Sequence, residues 1–306
     1  MRSVERFGKA CLWRLTPSTV YIIVVTEADA GEAQVWARLE PDMVFDCEPG
    51  SRYPYTVVSP VPGDEVNLEI PLDSLARALR SALPVRGTTI PPDSRVEFVS
   101  SEEGPSHLVF SIDSSTRSGS HQWITQRVPA RILSEERASL IREPMVPPPQ
   151  VAIVMPELSE VRKVAERLGK MHGMIHVEGT QRGELKLSIE GDGGISVTST
   201  WRDLIVPEFE SDEASTSTPS STPSGVSDGS FSTMSARSRA TVSQKDLVNF
   251  LWGWRIGPKD VVCCILEGHA MVFFLYVQQG LSSEEGGRDE GRGLNLLTYY
   301  IPNRSP

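Results

Sequence analysis

"REPMVPPPQVAIVMPELSEVRKVAERLGKM", residues 142–171, sets a proline cluster, a short apolar run and a charged stretch in that order at the middle of the chain. A proline-rich segment is extended and semi-rigid, so "EPMVPPP" reads as a stiff connector. "VAIVM" (151–155) reads as a buried strand. Pro156 then suits a helix entry, where its missing N–H would have had no partner. From there Leu158, Val161, Val164, Ala165 and Leu168 recur at helical spacing and predict a helix over 158–171.

The same order recurs along the chain. "VNLEIPLDSLARALRSAL" (66–83) is again strand, proline and helix, with Leu72, Leu75, Leu79 and Leu83 on one face. Three strands follow in "RVEFVS" (95–100), "HLVFSI" (107–112) and "QWITQRVPARI" (122–132). After the helix at 158–171 come "MIHVEG" (174–179), "ELKLSIE" (184–190) and "ISVTSTW" (195–201), with "GDGG" (191–194) as a hairpin turn. A further unit begins near Thr241. Its helix, "SQKDLVNFLWGW" (243–254), has Ser243 as N-cap and Leu247, Phe250, Leu251 and Trp254 on its apolar face. "DVVCCIL" (260–266), "MVFFLYV" (271–277) and "NLLTYYI" (295–301) complete it. At the start of the chain "SVERFGKA" (3–10) is similar to "KVAERLGKM" (163–171), the late part of a helix, and precedes "CLWRL", "TVYIIVV" (19–25) and "AQVWARL" (33–39). That first unit lacks its opening strand and half its helix. The pattern predicts an α+β chain of two similar domains, 1–134 and 151–306, joined by the connector 135–150.

Two stretches carry no such pattern. Residues 207–240 and 282–293 are dominated by Ser, Thr, Pro, Gly and charge, and cannot bury enough surface to offset their chain entropy. They are expected to be disordered loops. The remainder, in a chain of 306 residues that is 39% hydrophobic, suffices for two cores. No apolar run approaches the ~20 residues of a membrane span, and residues 1–9 offer no signal-peptide core. The four cysteines, at 11, 47, 263 and 264, form no C-x-x-C pair. Adjacent Cys263 and Cys264 on a strand point to opposite faces, so reduced, mostly buried thiols are expected. These features point to a soluble, intracellular protein without a membrane role.

A formal net charge of −10 argues against coating nucleic acid with the whole surface, but binding follows the local field. The basic residues gather on the helices. Lys163, Arg167 and Lys170 fall at i, i+4 and i+7, with Arg162 adjacent. Arg77 and Arg80 share a face of the 72–83 helix, Lys245 lies on the third helix with Arg255 beyond it, and Arg2, Arg6 and Lys9 mark the first fragment. By charge alone the same residues, beside Glu160 and Glu166, would suit an ordinary solvated helix face. "HGMIH" (172–176) has two histidines at i, i+4, but Gly173 and the helix end place them in a turn. Trp252 and Trp254 are expected in the core. No nucleophile–base arrangement and no phosphate loop with G-K-[ST] is present, so neither cofactor nor metal is implied.

This organisation resembles the sliding-clamp family, the PCNA-like DNA clamps. The segments at 142–171, "GELKLSIEGDGGISVTSTWRDL" (183–204) and "LTYYIPN" look like the Hus-one branch of the heterotrimeric checkpoint clamp. The resemblance implies a DNA-clamp fold with helices on the inner face and antiparallel sheets outside. It implies two paralogous subunits completing a ring around double-stranded DNA, a clamp loader, checkpoint and repair proteins as further partners, and a nuclear location. On that template the helix residues named above become non-specific DNA contacts, and the protein is not an enzyme. The chain departs from the family pattern by lacking roughly its first 20 residues, which predicts a truncated gene model. Two other readings are a hydrolase acting on nucleic acid, which needs a convergent acidic or histidine-containing site, and a protein-binding scaffold that does not touch DNA.

Overall fold

The computed structural model describes residues 6–25, 32–47, 50–51, 54–61, 63–81, 93–99, 106–115, 121–191, 194–207, 237–277 and 295–304. The first part of the chain forms β1 (Ala10–Leu15), β2 (Val20–Val25), β3 (Gln34–Leu39), β4 (Val66–Pro71), α1 (Leu72–Ser81), β5 (Asp93–Val99), β6 (His107–Ser115), β7 (His121–Pro129) and β8 (Arg131–Ile132). A short helix, α2 (Glu135–Leu140), leads into the connector. Beyond it lie β9 (Val151–Val154), α3 (Leu158–Leu168), β10 (Met174–Thr180), β11 (Glu184–Glu190), β12 (Ser196–Trp201), β13 (Arg237–Ser243), α4 (Gln244–Leu251), β14 (Asp260–Leu266), β15 (Ala270–Val277) and β16 (Asn295–Pro302).

These strands make three antiparallel sheets. Nine run in the order β8-β4-β1-β2-β3-β16-β15-β14-β9, four as β12-β11-β10-β13 and three as β5-β6-β7. The large sheet is continuous across the middle, where β3 pairs with β16 and Trp36 lies opposite Thr298. Its two sides mirror each other, with β4-β1-β2-β3 answering β9-β14-β15-β16.

Strand alternation decides which side of this sheet meets the helices. Cys11, Trp13, Val35, Ala37, Cys263 and Phe273 point to one face and share a core with α1, α3, α4 and the smaller sheets. Leu12, Trp36, Cys264, Val272 and Tyr300 point to the other face and form a second cluster, against which Leu133 and Ile141 pack. Cys263 and Cys264 thus leave on opposite faces, as expected, both buried, while Cys47 is exposed. Each helix lays a narrow apolar stripe on the shared core: Leu72, Leu75 and Ala78 of α1, Val161, Ala165 and Leu168 of α3, and Leu247, Phe250 and Leu251 of α4. This is a layered α+β architecture, with the helices gathered on one side of the large sheet.

Several boundaries differ from the sequence expectations. Residues 237–240, read as the end of a loop, belong to β13, which opens the last unit and pairs with β10. Of the expected loops, 208–236 and 282–293 lie outside the described residues, as do the expected helix end at 82–83 and Arg2. Arg6 and Phe7, read as the end of a helix, form a turn. The connector is not proline-rich coil alone: Ser134 caps α2, its Oγ accepting from the Arg137 N–H at 3.5 Å. The segment is then fastened to the sheet. Arg14 Nη2 donates to the carbonyls of Ala138 and Ile141 at 3.2 and 3.1 Å, and Tyr300 Oη donates to Glu143 at 2.8 Å.

Candidate nucleic-acid interface

α3 and α4 lie side by side, and Gly169 meets the Gln244 side chain where they approach. A Cβ at Gly169 would sit 2.2 Å from Gln244 Cγ. With Val161, Ala165 and Leu168 committed to the core, Lys163 and Arg167 leave α3 one turn apart on its opposite, exposed side. α3 ends at Leu168, so Lys170 lies in the following turn, its N–H bonded to the Arg167 carbonyl at 3.2 Å, and it too is exposed. Among the described residues none of these three side chains enters an ion pair or hydrogen bond. They present uncompensated positive charge.

The other named residues differ from this stripe. Arg77 is exposed but pairs with Asp73 on its own helix at 2.8 Å, a contact of about 0.3–0.5 kcal/mol. Arg80 is exposed near the end of α1. Lys245 is exposed in the first turn of α4, beside Asp246, whose carboxyl is held above its ordinary range by burial. Arg162 does not join the stripe. Its side chain is only 18% exposed, and its Nη1 is 3.4 Å from Glu166 Oε1. Its guanidinium lies 4.2 Å from the ring of Trp252.

Trp252 opens a short 3₁₀ segment, Trp252–Ile256, at the end of α4. The sequence places it in the core, yet it is only half-buried and Arg6 and Arg255 also stand 4.4 Å from its centroid. Trp254 is exposed rather than internal. The sequence offered no signal for this gathering, because Arg6 and Trp252 sit at opposite ends of the chain.

The histidine pair resolves into two unrelated roles. His172 accepts from the Met174 N–H at 3.2 Å in the turn, while His176 in β10 meets Thr241 Oγ1 at 2.8 Å across the β10–β13 ladder. Among the described residues no three His, Cys, Asp or Glu side chains are placed to share a metal. Burial pushes the Cys11 and Cys264 thiols up to about 12, far from the thiolate form. On the sheet face away from the helices a groove of about 860 Å³ runs beside the connector, with Arg14, Tyr21, Trp36, Ile132 and Ile141 among its walls.

Comparison with known proteins agrees with this architecture. The family model described as Hus1-like protein matches residues 1–305. Over 306 residues the chain is 29% identical to the checkpoint protein hus1 of Schizosaccharomyces pombe, covering 98% of this chain and 93% of that protein. Against the checkpoint protein HUS1 of Homo sapiens it is 24% identical over 299 residues, covering 98% and 91%. Among solved structures, PCNA from Thermococcus kodakaraensis superposes with a TM-score of 0.61 at 12% identity, covering 99% of this chain and 94% of that one. That likeness concerns the fold, and it is the fold the strand-helix-three-strand pattern predicts. The match over nearly the whole length, the checkpoint relatives and the clamp architecture set aside the hydrolase reading: the chain belongs to the Hus1-like family and is a non-catalytic subunit of a checkpoint clamp.

Proposed function

We propose that this subunit closes a ring with two paralogous subunits, that a clamp loader places the ring on double-stranded DNA, and that its helices face the duplex. The observation that carries the DNA-facing reading is the exposed, uncompensated stripe of Lys163, Arg167 and Lys170 on an otherwise acidic protein. Arg80 and Lys245 extend the positive field from the neighbouring helices, and Arg77 does so less because Asp73 neutralises it. Phosphate contacts of this kind carry no sequence information and are sensitive to salt, which suits a ring that must move along DNA. The two repeats, 1–134 and 151–306, form the two halves of the subunit, with 135–150 between them. In the nucleus the assembled ring serves checkpoint and repair proteins as a platform.

The test replaces Lys163, Arg167 and Lys170 together by Gln and measures association of the assembled ring with duplex DNA at several salt concentrations. Each lost phosphate contact lowers the log–log salt slope by about 0.9, so the slope falls by up to about 2.7. Assembly, followed by native mass analysis, stays at one copy of this chain with one of each related subunit. An unchanged slope removes the DNA-facing assignment, and a stable monomer under all conditions removes the ring.

A further inference from the structure

We propose that Arg6, Arg162 and Arg255 form one oxyanion site around the ring of Trp252, and that its ligand is a phosphodiester of the nucleic-acid backbone. The inference rests on the DNA-facing reading and names a discrete station within it, set apart from the Lys163 stripe.

The three guanidinium carbons stand 4.4, 4.2 and 4.4 Å from a single ring centroid. Any two of them are therefore separated by less than twice that distance. They come from three separate segments: the turn ahead of β1, the flank of α3, and the 3₁₀ segment after α4. Like charges this close repel, and the attraction of each to the face of an indole offsets only part of that. Among the described residues only Glu166 pairs with any of the three, at 3.4 Å from Arg162, and Arg6 and Arg255 enter no ion pair. Two positive charges thus remain uncompensated at one point.

The donors are also unspent. Arg162 Nε is buried and has no hydrogen-bond partner. That atom has no exposed surface to offer a ligand, so contact with an oxyanion falls to the terminal nitrogens of the guanidinium groups. An indole face offers no acceptor to compete, so the guanidinium edges stay available for a planar, bidentate contact with an oxyanion. The framework around them is fixed. The Arg6 carbonyl accepts from Asn249 Nδ2 at 3.2 Å, and buried Gly253 packs closely on Leu275, where a Cβ would meet Cδ2 at 3.0 Å. Arg255 reaches Trp254 as well, at 5.6 Å.

The position selects nucleic acid over a phosphorylated peptide. Arg162 is the residue before Lys163, and it turns toward Trp252 while Lys163 and Arg167 face outward. Site and stripe are therefore adjacent on α3. A single phosphate on a peptide would engage the triad alone, whereas a polyanion would engage both.

The experiment uses the full-length chain with three probes: a 20-base-pair duplex, inorganic phosphate and a phosphoserine peptide. Arg162→Gln with Arg255→Gln should lower the duplex salt slope by about 1.8 and Arg255→Gln alone by about 0.9. Inorganic phosphate should raise the melting temperature of the parent chain and change its tryptophan emission. Both responses should vanish in the double variant and persist when Lys163, Arg167 and Lys170 are replaced. Arg255 is exposed, so the single variant keeps the test decisive if the double one fails to fold. If the stripe variant loses duplex binding but the arginine variants keep the parental slope, the station is overturned and the DNA-facing reading stands. If none of the variants moves the slope, both fall. Phosphopeptide binding tighter than duplex binding, and indifferent to the stripe, overturns the assignment to nucleic acid.

Discussion

The two small sheets begin from the same plan and end differently. β5 follows α1 and β10 follows α3, each as the first of three strands after a helix. β10 has a neighbour on both sides: β11, and β13 from the next unit, in register from Met174 opposite Ser243 to Thr180 opposite Arg237. β5 pairs with β6, and no described strand borders its other side. The inner residues report the consequence. Ile175 and Val177 of β10 are 0% and 2% exposed, while Val96 and Phe98 on the inner face of β5 are only half-buried. The burial of a strand is thus decided by its neighbours as much as by its own apolar residues.

Core truncation should separate the sheets most. Ile175→Ala should cost about 2–5 kcal/mol in a urea melt, because the site is fully enclosed, against about 1 kcal/mol or less for Val96→Ala. Equal losses would break the contrast. Amide exchange sharpens it next: β5 amides on the side away from β6 should exchange at least about tenfold faster than those of β10, since edge groups open locally and a paired ladder opens with its sheet. Arg77→Ala on the helix before β5 should change stability by no more than about 0.5 kcal/mol, because the Asp73 pair is solvated. The gentlest effect is one of pH and should appear in the four-stranded sheet. Burial, and then Arg239, hold the His176 imidazole below its usual 6.5. The unfolded chain therefore takes up the proton first, so stability should fall as pH drops below about 6.5. His176→Gln should abolish that decline.

Much of this was legible in the sequence. Strand, proline and amphipathic helix at 66–83 and 151–168 carry both period and punctuation, and β4–α1 and β9–α3 follow them. β13 was lost because "RSRATVS" is small and polar and follows a serine-rich run. Its alternation of buried Ser238, Ala240 and Val242 with outward Arg237 and Arg239 is a period-two signal too weak in hydrophobicity to stand out. α2 escaped because six residues carry almost no period, leaving only the Ser134 cap and buried Ala138 as signs. For the candidate site, the exposed positions of Lys163 and Arg167 followed from the helical period. The separation of Arg162 from them did not. A quarter-turn offset indicates a flank, but only the fold says that Trp252 waits there and that Arg6 returns from the other end of the chain to meet it.

The pairing of β3 with β16 has a mechanical consequence. The two sides of the large sheet are zipped by a backbone ladder from Tyr300 opposite Gln34 to Leu296 opposite Arg38, reinforced where Asn295 Oδ1 accepts from the Glu40 N–H at 2.9 Å. Such a seam resists sliding, because several hydrogen bonds must fail together before the strands can shift by one register. Force transmitted along the subunit would pass through its middle as through a single plate and concentrate at the terminal strands β8 and β9. Any hinge needed to open an assembly built from this chain belongs at those ends and not at its centre.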